Sequence, residues 1–448
     1  GILRQAKPSS IEDLTALNAL YRPGPMDNIP KYVDSKWGRT PITYPHASLE
    51  KYLKETYGVI VYQEQVMQVA QEIAGYSLGR ADLLRRAMSK KKVEVLAQEE
   101  KPFVEGALTR GYTREKAKEI FDILVPFAGY GFNKSHAAAY SVVAYRTAWL
   151  KANYPAEYMA ANLTNEINNT EKLTQYIAEA RAMGIGLMQP DINRSEANFS
   201  VSDGRIVYGL IGVKGVGDGV VAAIVAEREK GGPFADFLDF LERVGVQSMN
   251  KRVIETLIQA GCFDATGRGR AALALNLERA YDYAQKKAEA GAYGQASLFE
   301  AASEEEFPPF RYEPCAELPR AELLRTEKAL LGFYFSGHPL DEYKDVYDKC
   351  CDVDFAHIER SSPDKEYTLV GQLVEWREIL TRKGKKMAFG KVEGYGGTIE
   401  IVAFSGTLEA NPGRFEADAI VFLKGTIDLD RENPSFKVDR LVQPSALK

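Results

Sequence analysis

The strongest constraint on this chain lies in its last hundred residues, where the apolar positions leave helical spacing for β-rich runs. Tyr367 to Ile379, Lys386 to Glu393, Thr398 to Phe404, Ala419 to Ile427 and Phe436 to Val442 are separated by Gly, Asp or Asn turns. One short helical piece, Ser405 to Glu409, falls between the third and fourth runs. Five strands with a helix at that place predict a five-stranded OB β-barrel over residues 351–448. A barrel closes on its own core, so the mainly α-helical sequence before it must form separate domains. Lys383, Lys385 and Lys386 in the first connection, with Phe389, Trp376 and Tyr395 near it in sequence, suit single-stranded nucleic acid; a solvated hairpin tip is the plain alternative.

Composition narrows the class. With 448 residues, 45% hydrophobic and 27% charged, the chain reads as a soluble multidomain protein without an 18-residue apolar run, so no membrane span is expected. Its four cysteines show no CxxC spacing and its four histidines are scattered, which argues against structural zinc and fits a cytoplasmic location. The net charge of −5 gives no global basic footprint; any nucleic-acid surface must be a local patch.

Two such patches stand in the helical part. Arg85 to Lys92 holds five cations in eight residues, on a helix capped by Ser77 whose Leu83, Leu84, Ala87 and Met88 form an apolar stripe. Arg86 and Lys90 are like-charged i,i+4 neighbours, a repulsion that an anionic ligand would offset. Further on, Phe127 to Tyr140 contains two glycines and then Asn133-Lys134-Ser135-His136, an N-cap feeding a helix to about Asn153. Free amides at that helix start, with Lys134 alongside, would receive an anion, and His136 and Tyr140 would share a face. A solvated basic face and a capped helix with a packed histidine are the plain readings of these two segments.

Tyr57 to Tyr62 reads as a short buried strand or extended piece, followed by a helix from about Glu64 to Ala74. Phe199 to Tyr208 reads as a hairpin turning at Asp203-Gly204. Lys214-Gly215-Val216-Gly217 before the helical run from Val220 to Glu229 has the pattern of a helix-hairpin-helix, whose glycines would let backbone amides approach a DNA phosphate. A second helical pair from Ser248, with Arg268 and Arg270 after its turn, reads as a degenerate second copy. Ala288 to Pro309 has linker composition, and within it Gln295, Leu298 and Phe299 form an apolar island suited to docking in a partner's pocket.

Taken together, Leu20 to Pro25, Val61 to Met67, Leu83 to Lys92 and Tyr130 to His136 resemble, in this order, the fingers of the bacterial DNA polymerase III alpha-subunit family, the C-family replicative polymerases. The helix-hairpin-helix, the QxxLF peptide and the OB barrel follow in the family's order. The resemblance implies fingers over residues 1–197, a tandem helix-hairpin-helix region for duplex DNA and the sliding clamp over 198–300, a connector over 301–350 and the OB domain over 351–448. It further implies that Arg85, Arg86, Lys90, Asn133, Lys134 and His136 bind the incoming dNTP. Lys214, Gly215 and Gly217 would grip the primer-template duplex, and Gln295, Leu298 and Phe299 the sliding clamp. Ser89 stands where the family's basic motif has glycine. The family holds its Mg²⁺ on palm carboxylates that precede the fingers, so no catalytic or metal residue is expected here, and the chain reads as an inactive fragment of a larger polymerase whose partners include other holoenzyme subunits. Asp428-Leu429-Asp430 is assigned to turn chemistry. A non-catalytic repair or recombination scaffold built from hairpin and OB modules is the competing reading.

Overall fold

A computed structural model describes residues 1–89, 93–127, 131–294, 308–355, 357–362, 365–381, 384–395, 397–429 and 434–443. The chain divides into two compact units, residues 1–158 and 159–448. The helices of at least eight residues before the barrel run in the order α1 (Ile11–Leu20), α2 (Ile29–Lys36), α3 (Gln63–Ala74), α4 (Leu78–Ser89), α5 (Val93–Thr109), α6 (Arg114–Phe127), α7 (Lys134–Asn153), α8 (Pro155–Asn165), α9 (Thr170–Ala182), α10 (Asp218–Gly231), α11 (Lys251–Gln259), α12 (Arg270–Gly294) and α13 (Arg320–Leu331). Strands β1 (Leu187–Met188), β2 (Ser200–Ser202) and β3 (Arg205–Val207) form a small sheet; β4 (Tyr367–Leu380), β5 (Lys386–Gly394), β6 (Gly397–Phe404), β7 (Ile420–Asp428) and β8 (Ser435–Leu441) form the barrel.

The first unit is organised around a buried carboxylate. Ser10 caps α1 by accepting from the Asp13 N–H, and Asp13 in turn accepts from the Ser9 N–H at 2.9 Å. Asp13, 2% exposed, also receives the Lys36 ammonium of α2 at 2.6 Å and the Tyr32 and Tyr57 hydroxyls, each at 3.0 Å. Burial alone would push this carboxyl up; Lys36, followed by the Ser9 N–H and the two tyrosines, outweighs it and holds it at about 2.

Tyr57 and Gly58, expected to be extended, instead form a left-handed turn (φ 52° and 81°), and only Val59 to Tyr62 continues as a buried segment; it forms no ladder and, among the described residues, pairs through a parallel bridge between Tyr62 and Phe132. The Gln65 side chain replaces the missing strand. Its Oε1 accepts from the Val61 and Tyr62 N–H groups, and its Nε2 donates to the Tyr52 carbonyl and the Thr56 hydroxyl. A second core joins Val69, Ile73, Leu84, Phe103, Ile120 and Leu124 from α3 to α6. Helix α5 had no counterpart in the sequence reading; it carries Pro102 in its interior, which masks the helical pattern.

In the second unit, β1 pairs parallel and β2 antiparallel with β3, and Asp203 and Gly204 turn the hairpin with φ of 51° and 71°. Helix α12 runs to Gly294, beyond the linker start expected at Ala288, because Ala288, Glu289 and Ala290 are strong helix formers. The barrel closes in the order β4-β5-β6-β8-β7, with the helix Ser405–Ala410 leading out of β6 and the β6–β8 pair parallel. The five runs and the helix thus fall where the period change put them, giving helical modules followed by a five-stranded OB barrel.

Candidate nucleotide and nucleic-acid interfaces

In the first unit, α4 is capped as expected, the Ser77 hydroxyl accepting from the Arg80 N–H. Its buried side differs from the expected stripe. Ala81 and Leu84 are buried, whereas Leu83 is 65% exposed, because it projects about 100° away from Leu84. Arg85 and Arg86 share one carboxylate: Asp82 Oδ1 receives Arg85 and Oδ2 receives Arg86, each at 2.8 Å. These pairs hold the Asp82 carboxyl below its ordinary range, the Arg85 hydrogen bond contributing most. Arg85 Nη1 also donates to Gln63 Oε1 at 3.0 Å. Lys90 lies outside the described residues.

Helix α7 starts where predicted. Asn133 caps it by accepting from the His136 N–H at 2.9 Å. The expectation of free amides there is corrected, since the Lys134 N–H donates to the Glu64 carboxylate at 3.1 Å and Lys134 Nζ pairs with Glu55 at 2.7 Å. Two carboxylates therefore occupy part of the place read as an anion site. The rings do align: Phe132, His136 and Tyr140 form a ladder with centroid separations of 5.4 and 4.7 Å. Arg22, from the Arg22-Pro23-Gly24-Pro25 turn, lies 4.5 Å from the Phe132 ring centroid. Gln63 joins the two segments by donating from Nε2 to the Gly131 carbonyl at 2.8 Å. Gln63 thus links Arg85 to the Gly131–Phe132 backbone that leads into Asn133, Lys134 and His136; the sequence assigns Gln63 no role, its signal being a polar residue opening an otherwise amphipathic helix.

In the second unit, Lys214, Gly215 and Gly217 are all exposed ahead of α10. Gly215 requires glycine, at φ +92°; Gly217 does not, since its backbone is ordinary extended chain (φ −92°, ψ 160°) and a Cβ there would meet only open space. The turn is anchored from behind. Lys214 N–H donates to the Leu330 carbonyl and the Tyr208 hydroxyl to the Leu331 carbonyl, both at 3.0 Å, satisfying C-terminal carbonyls of α13. The second copy has a different character. Its Arg270 is buried, donating to Asp264 (2.7 Å) and pairing with the buried Glu327 (3.1 Å), so it locks the turn internally.

On the barrel, Lys385 and Lys386 are exposed and Phe389 is 37% exposed; Lys383 lies outside the described residues. Register places Phe389 between Arg377 and Val402, and it borders a shallow groove of about 640 Å³ with Arg377, Lys391 and Glu400. Trp376 and Tyr395 have other partners. Trp376 stacks flat on Phe415 at 4.3 Å, and the Tyr395 hydroxyl donates to Asp341 at 3.0 Å. Phe404, which ends β6, is 47% exposed. Gln295, Leu298 and Phe299 lie outside the described residues. Among the described residues, no three His, Cys, Asp or Glu side chains are grouped to hold a metal ion, and no helix is long and apolar enough to cross a membrane. Asp428 ends β7 and pairs with Lys437 at 2.9 Å.

Three family models match separate stretches of the chain. Residues 1–111 match the finger domain of the bacterial DNA polymerase III alpha subunit, residues 184–273 a helix-hairpin-helix motif, and residues 367–443 an OB-fold nucleic acid binding domain. The whole chain is 50% identical to 38% of the DNA polymerase III subunit alpha of Treponema pallidum. Over 98% of its length it is 46% identical to 39% of the Borreliella burgdorferi subunit, and over 96% it is 41% identical to 38% of the Escherichia coli K12 subunit. The chain therefore spans under two fifths of the length of these relatives.

Proposed function

Starting from a chain that carries the fingers, hairpin and OB modules of the DNA polymerase III alpha-subunit family, we propose that it forms the part of a replicative DNA polymerase that presents nucleotide, duplex and template to a palm borne elsewhere in the longer protein. Arg85, Arg86 and Lys90 take the triphosphate of the incoming dNTP. Asn133, Lys134 and His136 line the sugar and base side. The observation that supports this best is the linkage of Arg85 to the Phe132–His136–Tyr140 ladder through Gln63, in the unit whose residues 1–111 match the polymerase finger domain. A scaffold for repair would explain the hairpin and barrel but has no use for that linkage.

Lys214, Gly215 and Gly217 grip product duplex through its phosphates, without sequence preference. Phe389 with Lys383, Lys385 and Lys386 takes single-stranded template by stacking and charge. Gln295, Leu298 and Phe299 dock on the sliding clamp, and other holoenzyme subunits complete the assembly. Mg²⁺ supplies charge stabilisation during nucleotidyl transfer. We assign its ligands to palm carboxylates of the longer protein rather than to this chain. The purified 448-residue chain is expected to bind primed DNA without extending it; robust primer extension by this chain alone would overturn the assignment.

A further inference from the structure

We propose that Gln63 is a positioning residue that makes one pocket of two separate elements, by fixing Arg85 relative to the Gly131–His136 segment. The proposal rests on the reading of Arg85 as a triphosphate contact. Gln63 is the first residue of α3, where a backbone N–H has no partner within the helix; here it donates to the Phe132 carbonyl at 3.0 Å. The side chain then works in two directions. Nε2 donates to the Gly131 carbonyl at 2.8 Å, and Oε1 accepts from Arg85 Nη1 at 3.0 Å.

Only a primary amide serves both neighbours at this length. A glutamate would turn an oxygen toward the Gly131 carbonyl, and a lysine would set a cation against Arg85. The amide orientation is fixed by the same logic, because flipping it would oppose donor to donor at Arg85 and acceptor to acceptor at Gly131. On the other side of Arg85, Asp82 draws it and Arg86 together, although adjacent helical residues diverge by about 100°. Arg85 is therefore held from two directions, its side chain 27% exposed, before any ligand arrives. Holding a cation in place in advance spares a ligand the cost of ordering it.

The test is equilibrium binding of dATP and of inorganic tripolyphosphate to the 448-residue chain, by competition with a fluorescent nucleotide, in a cycle of Gln63→Ala and Arg85→Ala. Gln63→Ala should weaken both probes by about tenfold. In the Arg85→Ala background it should add little, because the group it positions is gone. Equal losses in both backgrounds would mean a general structural effect and would overturn the proposal, as would undiminished affinity in Gln63→Ala. If Arg85→Ala weakens binding while Gln63→Ala does not, the role of Gln63 fails and the triphosphate reading stands. Unchanged affinity in Arg85→Ala removes both. Should Gln63→Ala fail to fold by circular dichroism, Gln63→Met carries the same cycle; it keeps the length of the side chain without charge, loses both the donor to Gly131 and the amide acceptor for Arg85, and is expected to weaken both probes to a similar extent.

Discussion

Replacing Asp13 by Asn should loosen the first unit in a way that depends on pH. The carboxyl sits at about 2 in the folded chain against an ordinary 3.8, which is worth about 2 kcal/mol of stability near neutrality. Because the folded value is depressed, the unfolded chain binds more protons between those limits. The contribution is complete above pH 3.8 and is lost as pH falls toward 2. Asparagine copies the shape of the protonated acid and leaves Lys36, whose side chain is 5% exposed, without its counter-charge. The expected loss at pH 6 is therefore about 2–3 kcal/mol, and the gap between wild type and Asp13→Asn should shrink by about 1 kcal/mol between pH 6 and pH 3. Trp37 reports on this site, since its Nε1 donates to the Ala6 carbonyl at 3.1 Å and the Lys36 ammonium lies 5.2 Å from its ring. With the chain's other two tryptophans changed (Trp149→Phe and Trp376→Phe), urea unfolding followed by Trp37 fluorescence reads the first unit alone. A gap that stays constant from pH 6 to pH 3, or no gap at all, would refute the electrostatic account of Asp13.

Two predictions concern the proposed surfaces. Neutralising Lys214 should weaken binding to all duplex sequences alike and lower the salt slope by roughly one contact; a sequence-selective loss in a filter-binding series would contradict backbone recognition. Changing Leu298 and Phe299 to Ala should abolish binding to the sliding clamp in surface plasmon resonance, and unaltered affinity would reject the clamp peptide.

What the sequence made legible depended on how local the physics was. The barrel was readable because each strand announces itself by period and each turn by Gly, Asp or Asn, and the cap at Asn133 because a side chain three residues from its N–H partner is a local event. The partners of the site were not readable. Nothing in the spacing between Glu64 and Lys134, seventy residues apart, says that the carboxylate closes the α7 terminus. Nor does the sequence around Arg270 say what it holds: named there only as following the turn of the second copy, it is enclosed in the fold by Asp264 and by Glu327, which is 57 residues further on. Leu83 shows a finer limit, since a wheel gives the angle of a residue but not which neighbouring helices cover it.

Helix α13 carries a consequence of its own. Its final carbonyls receive the Lys214 N–H and the Tyr208 hydroxyl, its Glu327 holds the second hairpin through Arg270, and its Lys328 and Arg325 pair with Glu393 and Asp418 of the barrel. A single rigid rod thus serves as the axle on which both hairpins and the barrel are mounted. Arg325, Lys328, Leu330 and Leu331 all lie in the last two turns of that rod, so a shift of the barrel that keeps its ion pairs closed would displace the same carbonyls that hold the exposed Lys214-Gly215 turn. Strain imposed at the barrel therefore has a mechanical route to that turn.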